Sequence, residues 1–234
     1  MSAPPLFGRT AVVSGASRGI GLAIADELRA AGAHVVRLAR SLVEAEGERR
    51  TDIRCDVGDP ASVARMAKLV LDAHGAPEVV VNAAGIFMVK PLAETTPEEF
   101  RAQLDGNLVG PFLVLRAFLP AMVARERGLV VTIGSVADHV AFEGNAAYGA
   151  AKTGLRGLHG VLETELRRSG VRATLISPGP VNTAIWNAVD PDARRGHTPR
   201  SRMLKPEDVA EAVLFVVTRR DEVHSPELQI EPRS

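Results

Sequence analysis

The chain lacks the sequence patterns of a disulfide framework, a nucleic-acid-binding surface and a membrane span. Its 234 residues include one cysteine, Cys55, which excludes an intramolecular disulfide and suits a reducing compartment. Basic and acidic residues number 28 each, so the formal net charge is zero and gives no sign of nucleic-acid binding. No uncharged apolar run reaches the length of a membrane span, and the first ten residues lack the pattern of a secretory signal. We therefore expect a cytoplasmic protein without a nucleic-acid or membrane partner.

Aromatic residues and metal-binding patterns are also scarce. The chain has one tyrosine, Tyr148, and one tryptophan, Trp186. Its six histidines show no pairing at the spacing of metal ligands, so no metal site is predicted. Trp186 could face a substrate or anchor a loop, and the sequence does not decide between them. His139 lies close to Ser135 in sequence and is a weaker candidate for a pocket residue.

Short β-branched runs alternate with longer helical patterns along the whole chain. The seven predicted strands lie around residues 11–13, 35–36, 53–55, 79–81, 129–133, 171–176 and 228–230. Alternation of this kind is typical of parallel strands joined by right-handed crossover helices, and continuous apolar strands indicate a sheet covered on both faces. We predict an α/β fold in one domain, residues 1–234: a doubly wound, Rossmann-type parallel sheet of about seven strands with helices on both faces. A (β/α)₈ barrel would need one more unit.

A glycine-rich turn, Ser14–Gly21, lies between the first predicted strand and the first predicted helix. Glycines let the backbone turn sharply and approach a pyrophosphate, and the following helix N-terminus adds unpaired N–H groups. The spacing is G-x-x-x-G-x-G, which differs from the common G-x-G-x-x-G fingerprint. The turn therefore predicts a dinucleotide site, although a turn needed only for packing would look the same.

Tyr148 and Lys152 lie one helical turn apart at the start of a long predicted helix. Positions i and i+4 share a helix face, and an ammonium group beside a phenol favours the phenolate and lowers the phenol's pKa. Ser135 follows the fifth predicted strand, at the carboxyl edge where ligands bind in open α/β sheets. The three side chains predict a proton-transfer site, although a lone Y-x-x-x-K pattern also occurs on helix surfaces.

Together these residues and several others resemble the short-chain dehydrogenase/reductase family, in its short single-domain branch, from about residue 7 to the C-terminus. The matching motifs, in chain order, are Ser14–Gly21, Asp56-Val57, Asn82–Gly85, Asn107, Ser135, Tyr148 with Lys152, and Pro178–Thr183. The chain departs from the family in having Ser14 where threonine is common. Its C-terminus lacks a glycine-rich ending, which resembles members that act on small hydroxy acids and assorted carbonyls.

The resemblance implies an enzyme that interconverts a carbonyl and an alcohol with NADP(H). Tyr148 is then the general acid/base, Lys152 lowers its pKa and holds the nicotinamide ribose, Ser135 polarises the substrate carbonyl, and Asn107 holds a proton-relay water. Asn82 is expected to brace the sheet beside the adenine. The implied cofactor-binding residues are Gly15, Ser17, Arg18, Gly19, Ile20, Gly21, Arg40, Asp56, Val57, Asn82, Ala83, Gly85, Tyr148, Lys152, Pro178, Gly179, Val181 and Thr183. Asp56 could instead be only a turn residue, and Asn107 could simply bond a helix carbonyl.

The end of the second strand decides between NAD(H) and NADP(H) in this fold. An acidic residue there bonds the adenosine ribose and repels a 2′-phosphate, but this chain has Ala39 followed by Arg40. Arg18, in the glycine turn, adds a second cation. We therefore expect NADP(H), with both arginines on the 2′-phosphate.

Two further features are expected to lie outside the catalytic centre. Residues 182–203 are rich in proline, arginine, aspartate and glycine, and they predict a mobile lid over a small-molecule substrate. Gly154, Gly157 and Gly160 lie in the long helix, where each costs roughly 1 kcal/mol relative to alanine, so something should pack closely there. Members of the family commonly pair through this helix, so a homodimer or homotetramer is expected.

Two other functions are compatible with parts of the pattern. A non-catalytic NADP(H)-binding sensor or scaffold could use the same fold, but it need not keep Asn107, Ser135, Tyr148 and Lys152 together. A sugar-nucleotide epimerase or dehydratase keeps the tyrosine and lysine but usually has a larger C-terminal region. The sequence does not indicate which carbonyl or alcohol is the substrate.

Overall fold

The computed structural model describes residues 3–193 and 196–233. Its strands are β1 (Thr10–Ser14), β2 (His34–Ala39), β3 (Ala45–Gly47), β4 (Arg50–Arg54), β5 (Val79–Asn82), β6 (Gly128–Ile133), β7 (Val171–Pro178) and β8 (Glu227–Ile230). Its α-helices are α1 (Gly19–Ala30), α2 (Pro60–His74), α3 (Pro97–Leu104), α4 (Gly110–Ala124), α5 (Ala146–Leu166) and α6 (Pro206–Val217). All seven predicted strands are present in this description.

The strands form one sheet in the order β3-β4-β2-β1-β5-β6-β7-β8. Every neighbouring pair is parallel except β3 with β4, which is antiparallel. The doubly wound fold is therefore confirmed, with one strand more than predicted. Strand β3 is a three-residue edge strand whose residues are all exposed, so it carries no apolar signal in the sequence.

The order in which strands are added to the sheet reverses at β1, whose neighbours are β2 on one side and β5 on the other. Such a switch point opens a crevice at the carboxyl ends of the two strands, where ligands bind in open α/β sheets. Strand β5 is buried along its whole length, which explains its continuous run of valines. The topology thus places the glycine turn after β1 next to the loop after β5.

Two hydrophobic clusters cover the faces of the sheet. On one face, Ile24 of α1 and Val213 of α6 belong to a cluster with β1, β5 and β6. On the other face, Met66 of α2 and Phe118 of α4 pack with Leu162 of α5. The helices therefore lie on both sides of the sheet, as the continuous apolar strands predict.

Helix starts agree with their capping residues in the sequence. Asp59 accepts hydrogen bonds from the backbone N–H groups of Ala61 and Ser62 at the start of α2. Thr96 and Glu99 form a reciprocal capping box at the start of α3. These local signals place both helices without tertiary information.

Residues from α3 to α4 form one long helical stretch, Pro97–Ala124, with a π-helical turn at Asp105–Val109. By length and composition this stretch could cross a membrane, although Arg116 interrupts its uncharged apolar run. Here Leu113, Phe118 and Met122 of the stretch are buried in the core. A core helix passes the same test of length and composition.

The α5 glycines differ in what they contact. A side chain at Gly154 would meet Leu108 of the same chain at 2.9 Å, which explains this glycine by internal packing. Side chains at Gly157 and Gly160 would meet nothing within 4 Å among the described residues. Among the described residues, packing within the chain therefore explains Gly154 but not the other two glycines, and the expected packing against a second chain stays a prediction.

Gly170, at the turn before β7, offers a test of backbone packing in this fold. Its φ is +74°, and a Cβ there would lie 1.9 Å from the carbonyl oxygen of Glu126. Gly8 has nearly the same φ, +75°, but a Cβ there would meet nothing within 4 Å in residues 3–193 and 196–233. We expect Gly170→Ala to lower the free energy of unfolding by roughly 1–3 kcal/mol more than Gly8→Ala, because only the former forces a clash. Chemical denaturation followed by circular dichroism measures both, and equal losses would contradict the assigned contact.

Candidate active site

The glycine turn is packed too closely for side chains. A Cβ at Gly21 would lie 2.4 Å from the carbonyl oxygen of Gly15, and one at Gly15 would lie 2.7 Å from Cα of Ala84. Gly15 and Gly19 also adopt φ of +71° and +56°, in the left-handed region that favours glycine. The turn therefore brings the start of α1 against the loop after β5.

The N-terminus of α1 has no side-chain cap among the described residues. Arg18, at the N-cap, makes no capping bond there, and the first turn holds no acidic residue. The first N–H groups of a helix are unpaired and favour anions. This end borders a cavity of about 550 Å³, whose size and donors fit a dinucleotide.

Most of the predicted cofactor residues surround that cavity or the one beside it. The first cavity is lined by Gly15, Ser17, Arg18, Gly19, Ile20, Gly21, Arg40, Asp56, Val57, Ala83, Gly85 and Thr183 of the predicted set. The second, of about 360 Å³, is lined by Ile20, Ala83, Gly85, Tyr148, Lys152, Pro178, Gly179, Val181 and Thr183 of the same set. Of the predicted set, Ile20, Ala83, Gly85 and Thr183 line both cavities, so the two cavities adjoin.

Arg18 and Arg40 both line the first cavity, and neither is paired with a carboxylate in the part of the chain that the structure describes. Neither has an acidic oxygen within 4 Å in the described part of the chain. Arg37, two residues before Ala39, differs because it forms a two-point ion pair with Asp52. The two cavity arginines are thus available to an anionic ligand.

Asn82 is placed differently from the sequence-based expectation. It lines neither cavity, and both polar atoms of its buried amide lack a partner among the described residues. The bracing contacts come from Ser14 instead. Its hydroxyl accepts hydrogen bonds from the N–H groups of Ala83 and Ala84 at 3.1 and 3.2 Å and approaches the carbonyl oxygen of Val81 at 3.4 Å.

The second cavity brings together Asn107, Ser135, Tyr148 and Lys152, the four predicted catalytic residues. Ser135 begins a 3₁₀ turn, Val136–Asp138, directly after β6. Its Oγ accepts a hydrogen bond from the N–H of Ala137 at 3.1 Å. Because that bond occupies a lone pair and not the proton, the hydroxyl hydrogen can be donated to a ligand.

Tyr148 is half-buried, with its ring edge-on to Phe87 at a centroid distance of 4.9 Å. Burial raises the pKa of Tyr148 to about 12; the neighbouring Ser135 hydroxyl opposes this rise, and the Asp138 carboxylate adds to it. Lys152 was expected from the sequence to lower this pKa. Burial has the larger effect, so Tyr148 carries its proton at neutral pH.

Lys152 is buried, and its Nζ donates to the carbonyl oxygen of Ile133 at 2.9 Å. Nζ lies 5.7 Å from the Tyr148 ring centroid. Burial lowers the pKa of Lys152 to about 8, while the Asp138 carboxylate opposes that change. The lysine is therefore mostly charged at neutral pH and close to its titration range.

Asn107 bonds a helix carbonyl, which was the alternative to a water-holding role. Its amide nitrogen donates to the carbonyl oxygens of Ile86 and Gln103, and its amide oxygen accepts from the N–H of Ile86. It lies in the π-helical turn, a feature that is frequent at functional sites. Its side chain therefore anchors the loop after β5, and a water-holding role stays a prediction.

An aromatic wall, formed by Phe87 and Trp186, was not predicted from the sequence. Phe87 contacts both Tyr148 and Trp186, whose ring centroid lies 4.8 Å away. Trp186 lines the cavity and donates its Nε1 hydrogen to the carbonyl oxygen of Val181, so it both faces the cavity and anchors its own segment. Phe87 could have been found from its position two residues after Gly85. His139 does not line either cavity.

The predicted lid borders the same cavity. Trp186, Gly196 and His197 contribute to its lining, and Arg200 donates to the side chains of Asn182 and Asn187. Residues 194 and 195 of the predicted lid lie outside the described residues. Opening and closing of residues 182–203 stays a prediction.

Comparisons with known proteins agree with this arrangement. The family model described as short chain dehydrogenase matches residues 9–194. An uncharacterized oxidoreductase of Staphylococcus epidermidis is 33% identical over 230 residues, covering 96% of this chain and 97% of the relative. The 3-oxoacyl-[acyl-carrier-protein] reductase of Escherichia coli is 33% identical over 220 residues, covering 90% of each chain.

Solved structures give the same picture. A metagenomic short-chain oxidoreductase in complex with NADP superposes with a TM-score of 0.82 at 35% identity, covering 98% of this chain and 100% of that one. A serine dehydrogenase complexed with NADP⁺ has a TM-score of 0.85 at 28% identity, covering 94% and 93%. The protein therefore belongs to the short-chain dehydrogenase/reductase family of oxidoreductases.

Proposed function

We propose that the protein is an NADP(H)-dependent carbonyl reductase or alcohol dehydrogenase. The observation that carries this proposal is the convergence of Ser135, Tyr148 and Lys152 on one cavity that adjoins the glycine-turn cavity. A ligand that spans both cavities would bring its reactive end to the tyrosine. A binding protein would have no need of an acid group at that point.

The cofactor is best held by the first cavity. The pyrophosphate would lie against the N-terminus of α1, and Arg18 and Arg40 would bind the 2′-phosphate through charge-assisted hydrogen bonds. When bound, NADPH supplies the hydride for the carbonyl carbon. The NADP complexes of two structural relatives support this choice of cofactor.

The chain's own residues supply the proton and hold the carbonyl. Ser135 would donate its hydroxyl hydrogen to the carbonyl oxygen, and Tyr148 would transfer its proton to the same oxygen as negative charge develops there. Solvent then returns a proton to the phenolate. Lys152, charged and buried beside the ring, stabilises that phenolate. The reverse sequence oxidises an alcohol.

The apolar residues that line the second cavity beside the catalytic groups favour an apolar substituent on the substrate. Phe87, Trp186, Phe142 and Val89 line the part of the second cavity that the first does not share. Aromatic side chains bind ring substituents through edge contacts and burial of apolar area. We therefore place aryl or branched alkyl ketones and aldehydes first among the candidate substrates.

Replacement of Arg40 should change the cofactor preference. Each bond from a charged group to the 2′-phosphate contributes roughly 1.5–3 kcal/mol, so the wild-type kcat/KM for NADPH should exceed that for NADH by about tenfold or more. We expect Arg40→Asp to reduce or reverse this ratio, mainly through the KM for the cofactor. Arg54→Asp is the matched control, because Arg54 is exposed at the end of β4 and lines neither cavity. An NADH efficiency equal to that of NADPH in the wild type would refute the assigned phosphate contacts.

Removal of the Tyr148 hydroxyl should abolish most of the reaction. Tyr148→Phe keeps the ring and its contact with Phe87 but deletes the proton. We expect kcat for ketone reduction to fall by about 10²-fold or more, which is typical for a positioned acid/base group. NADPH affinity, measured by nucleotide fluorescence, should stay close to the wild-type value. Turnover near the wild-type rate would remove Tyr148 from the mechanism.

We also propose a homodimer or homotetramer that buries the outer face of α5. Val161 is 56% exposed and lies four residues after Gly157, on a face that is open in the single chain. Light scattering should give a mass of two or four chains, and Val161→Arg should lower it. Val43→Arg, at a residue that is 83% exposed elsewhere, should leave the mass unchanged. A monomeric wild type at micromolar concentration would contradict this proposal.

A further inference from the structure

Asp138, at the end of the Ser135 turn, is a buried carboxylate that has no part in the proposed hydride and proton transfers. Its side chain is 0% exposed. One oxygen, Oδ2, accepts a hydrogen bond from Ser177 Oγ at 2.8 Å and lies 3.4 Å from the N–H of Ser135. Burying a carboxylate costs free energy unless it is paired and hydrogen-bonded, so the partners of Asp138 decide whether it can stay charged here.

The partners come from α5 and from the same turn. His139 Nδ1 contacts Oδ1, and Nη1 of Arg156 lies 3.6 Å from the same oxygen. Arg156 in turn forms a two-point ion pair with Glu227 of β8 at 2.6 and 2.7 Å. The carboxylate therefore links the Ser135 turn to α5, β7 and β8.

The carboxylate of Asp138 fits in its place because position 134 is a glycine. A Cβ at Gly134 would lie 2.7 Å from Ser177 Oγ and 2.8 Å from Asp138 Oδ2. Glycine before Ser135 thus lets the bond between Ser177 and Asp138 form directly under the catalytic turn. The same capping arrangement, in which Asp138 faces the Ser135 N–H, holds the Ser135 hydroxyl in its observed orientation.

We propose that Asp138 is a positioning residue for carbonyl reduction: its buried carboxylate holds the Ser135 turn against β7 and supplies a fixed negative charge beside Tyr148 and Lys152. The kinetic part of this inference rests on the proposed function, whereas the charge part does not. A negative charge at this place favours a neutral phenol and a charged lysine. The Asp138 carboxylate thus helps to keep Tyr148, the proton donor in the reduction, protonated.

Other charged and titratable groups surround the same point. From every element packed against Asp138, the facing groups are Ser135 and His139 on its own turn, Tyr148, Lys152 and Arg156 on α5, Ser177 on β7, and Glu227 on β8 through Arg156. His159 lies further along α5, and burial lowers its pKa to about 4, so it is neutral near pH 7. Lys152 and Arg156 are therefore the cations that face Asp138 from α5, and its removal leaves them without this counter-charge.

The single tyrosine makes the charge part directly measurable. Because Tyr148 is the chain's one tyrosine, its phenolate absorbance reports one group without assignment. The wild-type midpoint should be about 12, followed with circular dichroism at each pH to confirm the folded state. We expect Asp138→Asn to lower the midpoint by about one unit, because it keeps the shape and removes the nearby negative charge.

Asp52→Asn is the matched control for that substitution. Asp52 is also a buried carboxylate paired with an arginine, Arg37, but it lies on β4 and lines neither cavity. Its replacement should destabilise the protein without moving the Tyr148 midpoint. An unchanged midpoint in Asp138→Asn, or an equal shift in Asp52→Asn, would overturn the assigned charge.

Ser177→Ala tests the positional part and keeps the inference testable if Asp138→Asn does not fold. It removes one hydroxyl under the turn and leaves every charge in place. We expect an unmoved Tyr148 midpoint and a kcat for ketone reduction lowered by about threefold or more, with cofactor KM unchanged. A wild-type kcat would overturn the positional part. If the wild type reduces no ketone at all, the proposed function fails, and the titration still decides the charge part.

Discussion

The close packing of the Gly15 turn against the loop that follows β5 is the contact on which the rest of the site depends. It occurs where the strand order reverses, so two loops meet that are far apart in the chain. The Ser14 hydroxyl ties the loop after β5 in place, and the glycines leave the start of α1 open towards the crevice. Both cavities share this wall, which is why one ligand can reach from the arginines to the tyrosine.

Burial of charged and titratable groups is the second constraint. Tyr148 and Lys152 both lose hydration, and the consequence is opposite in sign: the pKa of the phenol rises and that of the ammonium falls. The Asp138 carboxylate shifts both pKa values upwards, so it favours the protonated form of each. An acid that keeps its proton at neutral pH suits reduction, and a charged lysine nearby suits the phenolate that reduction leaves behind.

Sequence patterns predicted the features that depend on local or repeated signals. The strand and helix alternation, the Asp59 and Thr96 caps and the glycine turn all follow from residue types at fixed spacing. The place of Ser135 at the ligand-binding edge also follows, since it comes directly after a parallel strand. Strand β3 was missed because it is polar and exposed, and its pairing depends on β4.

Side-chain environments were harder to predict because they depend on tertiary packing. The hydroxyl of Ser14, and not the amide of Asn82, bonds the loop after β5. Burial raises the pKa of Tyr148, whereas the sequence predicted that Lys152 would lower it. The aromatic wall of Phe87 and Trp186 joins residues about a hundred positions apart, which no periodicity reveals. The hydrogen bonds and ion pairs of Asp138 and Arg156 likewise join the turn after β6 to α5, β7 and β8. These contacts depend on tertiary packing, so the sequence pattern does not reveal them.

The most direct test of the central claim is to follow the hydrogen that is transferred. NADPH carrying deuterium at either C4 position would be incubated with an aryl alkyl ketone and the purified protein. The account predicts that one of the two labelled cofactors gives an alcohol with a single deuterium on the former carbonyl carbon, detected by mass spectrometry. Alcohol without deuterium from both labelled cofactors, or no alcohol from any of a panel of aryl and branched alkyl carbonyls, would contradict it.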